Sequence, residues 1–350
     1  MRPQLVILST HFGTNFSGGC TTTCEIVQGL ESEFSRVHVV TRELGQHTLN
    51  NLQWHRYRTA IDAIRILRQF DRQNTVFYAD FYNAYWLSLL RIPFYFTYHD
   101  NWPELGRLSL KFRFQYLFYW SVYRWIFRTA RHVIVVSEKK RQLLTPWCRK
   151  ISLVRNGCTR PQHPLPTVTR NQVIMVGSID ERKYTKALEL FASLPADPGF
   201  TVDVYGHTHD EDIARTLMSY PFVELKGFHS EIPYQRYHLL LHTSLMENLS
   251  IVWCESQLYL TPVLTFDVGA ATEAINAETG RCIPPYDIEA MRQALISLTQ
   301  TPMLIEDEPQ HLKPYRWETA TAHYRKILLE LWPDSSRDSA SPQSHEVTRQ

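Results

Sequence analysis

The chain of 350 residues is 44% hydrophobic and 21% charged, a composition typical of about two globular domains that excludes a disordered protein. Its apolar runs fall short of the ~18 residues that a membrane-spanning helix requires. Its six cysteines form no CxxC pair, which fits reduced thiols in a cytosol better than a zinc finger. The net charge of +2 conceals a contrast, because residues 1–166 hold 22 Lys and Arg against 10 Asp and Glu, whereas residues 167–350 hold 15 against 25.

The first half of the chain alternates short β-type runs with helical patterns. The opening residues MRPQLVILST contain a short apolar run with no cleavage site after it, which favours a first strand over a signal peptide. Residues 156–171 hold three prolines and no apolar periodicity, so they are predicted to form a linker. The predicted strands of this half are QLVILS, RVHVVT, TVFYA, PFYFTYH, HVIVVS and KISLVR.

The second half repeats the same alternation. Its predicted strands are QVIMVG, FTVDVYG, PFVELKG, HLLLHTS, TPVLTFD and RCIPP. Short apolar strands separated by helices indicate parallel sheets that are covered on both faces. We therefore expect an α/β protein with two doubly wound, Rossmann-like domains that face each other across a cleft, and a ligand at the carboxyl ends of the strands.

The predicted domain limits follow the linker and the end of the second alternation. We expect a first domain over 1–160, a second over 161–312, a C-terminal helix over 313–332 that packs back towards the first domain, and a disordered tail over 333–350, where the composition is polar.

The stretch SLMENLSIVWCES follows the predicted strand HLLLHTS and carries a carboxylate at each end. A helix is predicted to begin after Ser250 as N-cap. The N–H groups of Leu249, Ser250 and Ile251 would then hold a phosphate at the helix start. Glu247 and Glu255 would meet a sugar on one side of a diphosphate and a ribose on the other, an arrangement that suits a nucleotide sugar.

This stretch resembles the signature of the retaining family 4 glycosyltransferases of the GT-B fold, in which a Glu, seven residues and a second Glu precede a G-x-P-V turn. Here the pattern reads ENLSIVWCE followed by LTPVLTFDVGAATEAI. The ENL and FDVGA segments are most similar to enzymes that build bacterial exopolysaccharide and O-antigen repeats. The resemblance covers roughly residues 5–330, and its other segments are SGGC at 17–20, YHDNWPELG at 98–106, VVSEKKRQLL, LVRNG at 153–157 and VGSIDERK at 176–183.

The resemblance implies a cytoplasmic glycosyltransferase, peripheral on the inner face of the membrane, that moves a sugar from a nucleotide sugar to a lipid-linked saccharide with retention and without a metal or other cofactor. It implies catalytic roles for Glu247, His99 and Lys183. It implies donor-binding roles for Glu255, Leu249, Ser250, Ile251, Gly18, Gly19, Arg182 and Gly177. Acceptor or membrane contacts are expected from Asp100, Trp102, Lys111, Arg113, Arg124 and Arg128.

The chain departs from the family pattern at four positions. Ser178 stands where the family has an Arg that clamps the diphosphate, and Arg182 is a candidate replacement. Tyr184, Leu260 and Ala270 stand where the family has glycine. These departures favour one alternative, a catalytically silent GT-B partner or scaffold protein, which would bind a donor without turnover. A sugar-nucleotide epimerase of the same fold is a third possibility.

Several features also have simpler interpretations. Gly18 and Gly19 would serve as a tight turn before a helix at Thr21, and His99 as a hydrogen-bonded structural residue. Asp210 and Asp212 form an Asp-x-Asp pair that could hold a divalent ion on the donor phosphates. Because they follow a strand and open a helix, we interpret them as helix-start acids instead.

The segment 107–132 is basic and aromatic, with six Lys or Arg, nine aromatic residues and no acid. Its aromatic residues at 116, 119, 120, 123 and 127 fall on one helical stripe, which predicts a core-facing side. A basic, aromatic surface near an acceptor cleft suits an anionic membrane. No nucleic-acid-binding module accompanies the charge, so no nucleic-acid partner is expected.

Overall fold

The structure is a computed structural model that describes residues 2–107, 110–158 and 171–330. The predicted linker lies largely outside these residues, and the predicted tail over 333–350 lies wholly outside them. The domain limits proposed from the sequence therefore remain predictions.

The described residues of the first domain form nine strands. Their bounds are β1 Gln4–Leu8, β2 His11–Phe12, β3 Arg36–Thr41, β4 Glu43–Leu44, β5 Leu52–Arg56, β6 Thr75–Ala79, β7 Tyr95–Tyr98, β8 His132–Val135 and β9 Ile151–Leu153. Seven of them form one parallel sheet in the order β5-β3-β1-β6-β7-β8-β9, and β2 pairs with β4. Its helices are α1 Gly18–Leu30, α2 Ala60–Leu67, α3 Tyr85–Leu89, α4 Leu110–Thr129 and α5 Glu138–Leu144.

The second domain contains a six-stranded parallel sheet in the order β12-β11-β10-β13-β14-β15. These strands are β10 Gln172–Val176, β11 Thr201–Tyr205, β12 Val223–Gly227, β13 Leu239–His242, β14 Val263–Phe266 and β15 Gly280–Ile283. The helices are α6 Glu181–Ala192, α7 Glu211–Met218, α8 Ile251–Leu258, α9 Ala271–Ala274, α10 Ile288–Gln300 and α11 Trp317–Leu328.

Both sheets have the doubly wound order, in which the chain leaves a central strand in one direction and later continues on its other side. The reversal falls between β1 and β6 in the first sheet and between β10 and β13 in the second. The central strands are buried on both faces, as β1 shows with Leu5 through Leu8 all at 0% exposure. The prediction of two doubly wound α/β domains is confirmed.

The sequence missed strand β5, which has the sequence LQWHR. This strand lies at the edge of the first sheet, and its side chains are half-buried or exposed. An edge strand needs no continuous apolar run, so its sequence carries little periodic signal.

Helix α11 returns from the second domain and packs against α1 of the first. The Tyr324 ring is buried there, and its hydroxyl lies 2.9 Å from Oγ1 of Thr97. Nε of Arg325 lies 2.7 Å from Oε1 of Glu33. The chain therefore crosses twice between the domains, which ties them together outside the cleft.

Candidate active site

Glu247 lies in the loop that follows β13 and is the most strongly perturbed carboxylate of the cleft. Its Oε1 lies 3.8 Å from Nζ of Lys183 and 3.5 Å from Nε2 of His242. Within the described residues, neither this oxygen nor that nitrogen makes a hydrogen bond. Burial, the largest single cause, would raise the pKa of Glu247, but Lys183, His242 and Arg182 together outweigh it and hold the pKa well below its usual range. The site therefore presents an ionised carboxylate held between Lys183 and His242.

Gly269 fixes the backbone of this loop. It has a φ of +58°, and a Cβ placed there would lie 2.0 Å from the carbonyl oxygen of Glu247. Only glycine fits such a close approach in this conformation. The FDVGA segment singled out in the sequence thus holds the Glu247 loop in place.

Lys183 lies in the first turn of α6, where Asp180 caps the helix by accepting a hydrogen bond from the Lys183 N–H at 2.9 Å. Its side chain runs over Gly177, since a Cβ at that glycine would lie 2.6 Å from Nζ. The Lys183 carbonyl accepts a hydrogen bond from Oγ1 of Thr243 at 2.9 Å, and the Arg182 carbonyl accepts one from the Leu245 N–H at 2.9 Å. The start of α6 and the Glu247 loop therefore form one unit.

Arg182, the candidate replacement for the diphosphate-clamping Arg, lies beside this unit. Its NH2 is 3.9 Å from Oδ2 of Asp180, and its charge contributes to the low pKa of Glu247. The guanidinium is thus close enough to act on the site electrostatically.

The departures from the family glycines are accommodated by the fold. Leu260 keeps a left-handed backbone with a φ of 58°, the conformation that glycine adopts most readily. Tyr184 is buried, and its hydroxyl donates to the Gly177 carbonyl at 3.3 Å. The substitutions change side chains and leave the turn geometry in place.

Helix α8 begins after Ser250, as predicted, but the Ser250 hydroxyl makes no capping hydrogen bond. The first N–H groups of a helix have no partner inside it, so those at the start of α8 are available to an anion. The side chain of Ile251 faces the other domain, because a Cβ at Gly18 would lie 3.7 Å from its Cδ1.

Glu255 lies one turn further along α8. Its Oε2 accepts a hydrogen bond from the Tyr234 hydroxyl at 2.9 Å, and burial raises its pKa. The sequence did not predict the pairing of Glu255 with Tyr234. The two residues meet only because α8 packs against the turn Tyr234–Arg236.

The first domain contributes His99, which directly follows β7. A Cβ at Gly19 would lie 3.1 Å from Cβ of His99, so α1 packs closely against this histidine. Burial lowers the pKa of His99 to about 4, and its Nε2 has no hydrogen-bond partner among the residues described. The alternative role of His99 as a structural residue requires hydrogen bonds to its ring, and Nε2 makes none among the residues described.

Gly18 and Gly19 do not form a turn before a helix at Thr21. Helix α1 begins at Gly18, with Ser17 as N-cap accepting a hydrogen bond from the Cys20 N–H at 3.3 Å. Both glycines therefore lie in the first turn of α1, where the lack of a side chain lets the helix approach His99.

Asp100 and Trp102 were expected at an acceptor or membrane surface, and the structure places Trp102 inside the first domain and leaves Asp100 half-buried. Trp102 is 5% exposed and stacks on Tyr119 with ring centroids 5.5 Å apart. Asp100 accepts a hydrogen bond from the Tyr123 hydroxyl, and burial raises its pKa. In this conformation both residues support the domain core.

A cavity of about 330 Å³ opens beside Glu247 between the two domains. Glu104 and Lys139 line it from the first domain, and Asp267 and Tyr286 from the second. Its volume and mixed polar lining are typical of a small-ligand site.

Asp210 is the N-cap of α7 and accepts hydrogen bonds from the N–H groups of Asp212 and Ile213, both at 3.0 Å. This geometry agrees with the interpretation as helix-start acids. Across residues 2–107, 110–158 and 171–330, no group of three or more His, Cys, Asp or Glu side chains could hold a metal ion.

The basic side chains of α4 are arranged differently from the expected lipid-facing row. The guanidinium groups of Arg124 and Arg128 lie 4.0 and 5.0 Å from the centroid of the Trp147 ring. Arg113 is exposed, and the side chain of Lys111 lies outside the described residues. The predicted aromatic core stripe is confirmed, with Tyr123 and Phe127 fully buried.

The outer face of α4 carries large apolar side chains instead. Phe114, Leu117 and Phe118 are 74%, 64% and 65% exposed, and Trp125 is 39% exposed. We call these four residues the α4 apolar face. No helix in the described part of the chain is both long and apolar enough to cross a membrane.

Comparison with known proteins agrees with this geometry. Residues 16–159 match Glycosyltransferase Family 4, and residues 160–316 match Glycosyl transferases group 1. No curated protein is significantly similar in sequence.

Solved structures of the same fold cover nearly the whole chain. HepE from Anabaena, in complex with UDP and glucose, has a TM-score of 0.75 at 16% identity over 94% of this chain and 100% of its own. A sucrose-phosphate synthase from Thermosynechococcus elongatus has a TM-score of 0.75 at 16% identity over 94% and 99%. WaaG, a glycosyltransferase involved in lipopolysaccharide biosynthesis, has a TM-score of 0.71 at 16% identity over 94% and 100%.

Two doubly wound domains on either side of a cleft are the GT-B fold that these structures share. The two matched regions together span residues 16–316. The chain belongs to the family 4 glycosyltransferases, which transfer sugars from nucleotide-sugar donors.

Proposed function

We propose that this protein transfers a hexose from a nucleotide sugar to a lipid-linked saccharide, with retention of anomeric configuration and without a metal ion, in the biosynthesis of a cell-surface polysaccharide. The observation that carries the proposal is the ionised Glu247 carboxylate beside Lys183, in a residue that lines a cavity between the domains. WaaG, which has the same fold, is involved in lipopolysaccharide biosynthesis. A cytoplasmic location on the inner face of the membrane follows from this role.

The proposed mechanism rests on fixed charges. Charge builds on the departing diphosphate as the bond to the sugar breaks. Lys183, Arg182 and the N-terminus of α8 all stabilise that negative charge. Glu247 accepts a hydrogen bond from a donor-sugar hydroxyl and compensates positive charge that develops on the sugar ring. Burial lowers the pKa of His99 to about 4, so its ring is neutral at physiological pH and can donate or accept one hydrogen bond to the donor sugar.

The donor is tested by thermal unfolding with UDP-, GDP- and ADP-sugars. A donor at 100 times its dissociation constant should stabilise the folded protein by ~2.7 kcal/mol. Incubation with the stabilising donor and a lipid-linked saccharide extract should then give a glycosylated product with the donor's anomeric configuration. Donor binding without turnover on any acceptor would favour the silent partner or scaffold, and consumption of donor without acceptor would favour an epimerase.

Replacing Glu255 with Ala is expected to weaken donor binding about tenfold to a hundredfold, because a charge-assisted hydrogen bond to ribose contributes ~1.5–3 kcal/mol. Calorimetric titration of the donor measures the dissociation constant. Glu278→Ala, at an exposed position, is the matched control and should bind as the parent does. An unchanged dissociation constant for the Glu255 variant would remove this residue from the donor site.

We propose further that the first domain binds an anionic membrane through the α4 apolar face. Phe114, Leu117 and Phe118 recur at helical spacing on the outside of α4, and the exposed Arg113 lies beside them. An apolar face with adjacent cationic groups inserts into the interface while the charges meet anionic headgroups. The excess of basic residues in the first half of the sequence has the matching sign.

A triple variant, F114S/L117S/F118S, should lose most of its sedimentation with vesicles that contain anionic lipid. The control is Met218→Ser, which removes a side chain 58% exposed on the second domain. Raising salt from 0.1 M, where the Debye length is ~10 Å, towards 1 M, where it is ~3 Å, should release the parent. Transfer to a short water-soluble acceptor should persist in the variant. Sedimentation equal to that of the parent would refute the membrane role of this face.

A further inference from the structure

Asn248, the residue after Glu247, joins the two domains through its side-chain amide. Its Nδ2 donates a hydrogen bond to the carbonyl oxygen of Tyr98 at 3.3 Å. Its Oδ1 accepts one from the Ser137 hydroxyl at 3.0 Å. Both partners belong to the first domain and both bonds are buried, with Asn248 itself 5% exposed. The donor and the acceptor of one amide are thus both used across the cleft.

The two contact points lie next to functional elements of the first domain. Tyr98 directly precedes His99, so the amide holds the backbone from which His99 projects. Ser137 is the N-cap of α5, where its hydroxyl also accepts the Lys140 N–H at 3.3 Å. A single side chain therefore connects the Glu247 loop to the end of β7 and to the start of α5.

The backbone of Asn248 is fixed on the side of the second domain. Its carbonyl accepts the Ala270 N–H at 2.9 Å, and the close approach of Gly269 holds the carbonyl of Glu247. Glu247 and Asn248 share this rigid turn. A displacement of the Asn248 side chain therefore also displaces the Glu247 carboxylate.

We propose that Asn248 is a positioning residue that couples closure of the two domains to the placement of Glu247 opposite His99. This inference rests on the proposed function. In an open form, water replaces the two hydrogen bonds of Asn248, so the Glu247 loop is no longer bonded to the first domain. A buried amide needs both partners to avoid a desolvation cost, so the loop reaches its catalytic position only when the cleft is closed. Each bond is weak in net terms, which keeps closure reversible between turnovers.

A second polar contact between the domains is made by Glu273, outside the Glu247 loop. The Glu273 carboxylate of α9 accepts the N–H groups of Glu138 and Lys139 at 2.9 and 3.1 Å, and it pairs with Arg155. Glu273 holds the same helix start as Ser137, and within the described residues it forms no hydrogen bond or ion pair with residues 247–248. It therefore provides the comparison that separates closure in general from coupling to the carboxylate.

The test compares Asn248→Asp and Asn248→Ala with the parent in steady-state transfer, UDP titration and small-angle X-ray scattering. The Asp side chain keeps the shape and the acceptor for Ser137, but it removes the donor to Tyr98 and places an oxygen against its carbonyl. We expect both variants to lose about tenfold to a hundredfold in kcat, with the dissociation constant of UDP unchanged. Both should show a larger radius of gyration than the parent with UDP.

Ser137→Ala removes only one of the two bonds to Asn248, together with the N-cap bond from the Lys140 N–H, and we expect a loss in kcat of about threefold to tenfold. Glu273→Gln should enlarge the radius of gyration with a smaller loss in kcat than either Asn248 variant. A parent-like kcat in Asn248→Asp would overturn the inference, since only packing would then be required. A parent-like radius of gyration in both Asn248 variants would overturn it as well.

Failure of the proposed function would be seen separately. In that case the parent itself would transfer no sugar from any donor, and scattering would still decide whether Asn248 holds the domains together.

Discussion

Glu247→Gln is expected to lower kcat for sugar transfer by about 10² to 10⁴ while leaving the dissociation constant of the donor's nucleoside diphosphate unchanged. Lys183, His242 and Arg182 together hold the pKa of Glu247 well below its usual range, so the carboxylate is ionised at neutral pH. Glutamine keeps the shape and one acceptor but removes the charge that faces the developing positive sugar ring. The measurement is steady-state transfer with the donor identified by thermal unfolding, accompanied by calorimetric titration of that donor's nucleoside diphosphate.

Glu278→Gln is the matched control for this experiment, because Glu278 is exposed and far along the chain from the loop. It should retain parental kcat. A Glu247→Gln protein that transfers sugar at the parental rate, or that loses binding of the nucleoside diphosphate instead of turnover, would contradict the assignment of Glu247 to the reacting sugar.

The second large effect is expected for Lys183→Met, which should lower kcat/KM by about 10² to 10³. The Nζ lies 3.8 Å from Glu247 in a site where the side chain is 16% exposed, so its charge acts in a partly desolvated environment. Lys186→Met, three residues further along α6 in a surface pair with Glu189, is the control and should behave as the parent does.

The same variant should change the pH profile in a defined direction. Lys183 lowers the pKa of Glu247, so removing it should raise that pKa and shift the acid limb of the residual activity to higher pH.

Activity of the parent should survive EDTA, because fixed charges of the protein stabilise the leaving group. Loss of transfer on chelation, restored by manganese, would return the Asp210 and Asp212 pair to consideration and contradict the proposed mechanism.

The composition of α4 did not predict correctly which of its side chains lie on the outer surface. The basic and aromatic content of 107–132 predicted cationic side chains facing lipid, and the aromatic core stripe was predicted correctly. Arg124 and Arg128 instead stack on Trp147, a residue from beyond the next strand. Helical periodicity separates an inner from an outer face, but it cannot say which arginines find an aromatic partner elsewhere in the fold.

The start of α1 shows a different limit. Gly18 and Gly19 lower the intrinsic helix propensity, and the helix was predicted from Thr21. In the folded protein His99 lies 3.1 Å from where a Cβ at Gly19 would be, so a larger residue there would need the histidine to shift. Tertiary packing therefore overrode a local preference.

The sequence by itself determined the two parallel sheets, the strand ends that carry Glu247, Lys183 and His99, and the start of the α8 helix. These follow from apolar runs and turn residues that are adjacent in the chain, so the information is local. Only the tertiary structure decided which residues meet across the cleft. Asn248 contacts Tyr98 and Ser137 across 150 and 111 positions of sequence, and Trp102 is buried by α4 rather than presented to an acceptor. Such contacts depend on how two separately folded sheets are placed against each other, and no short-range pattern encodes that placement.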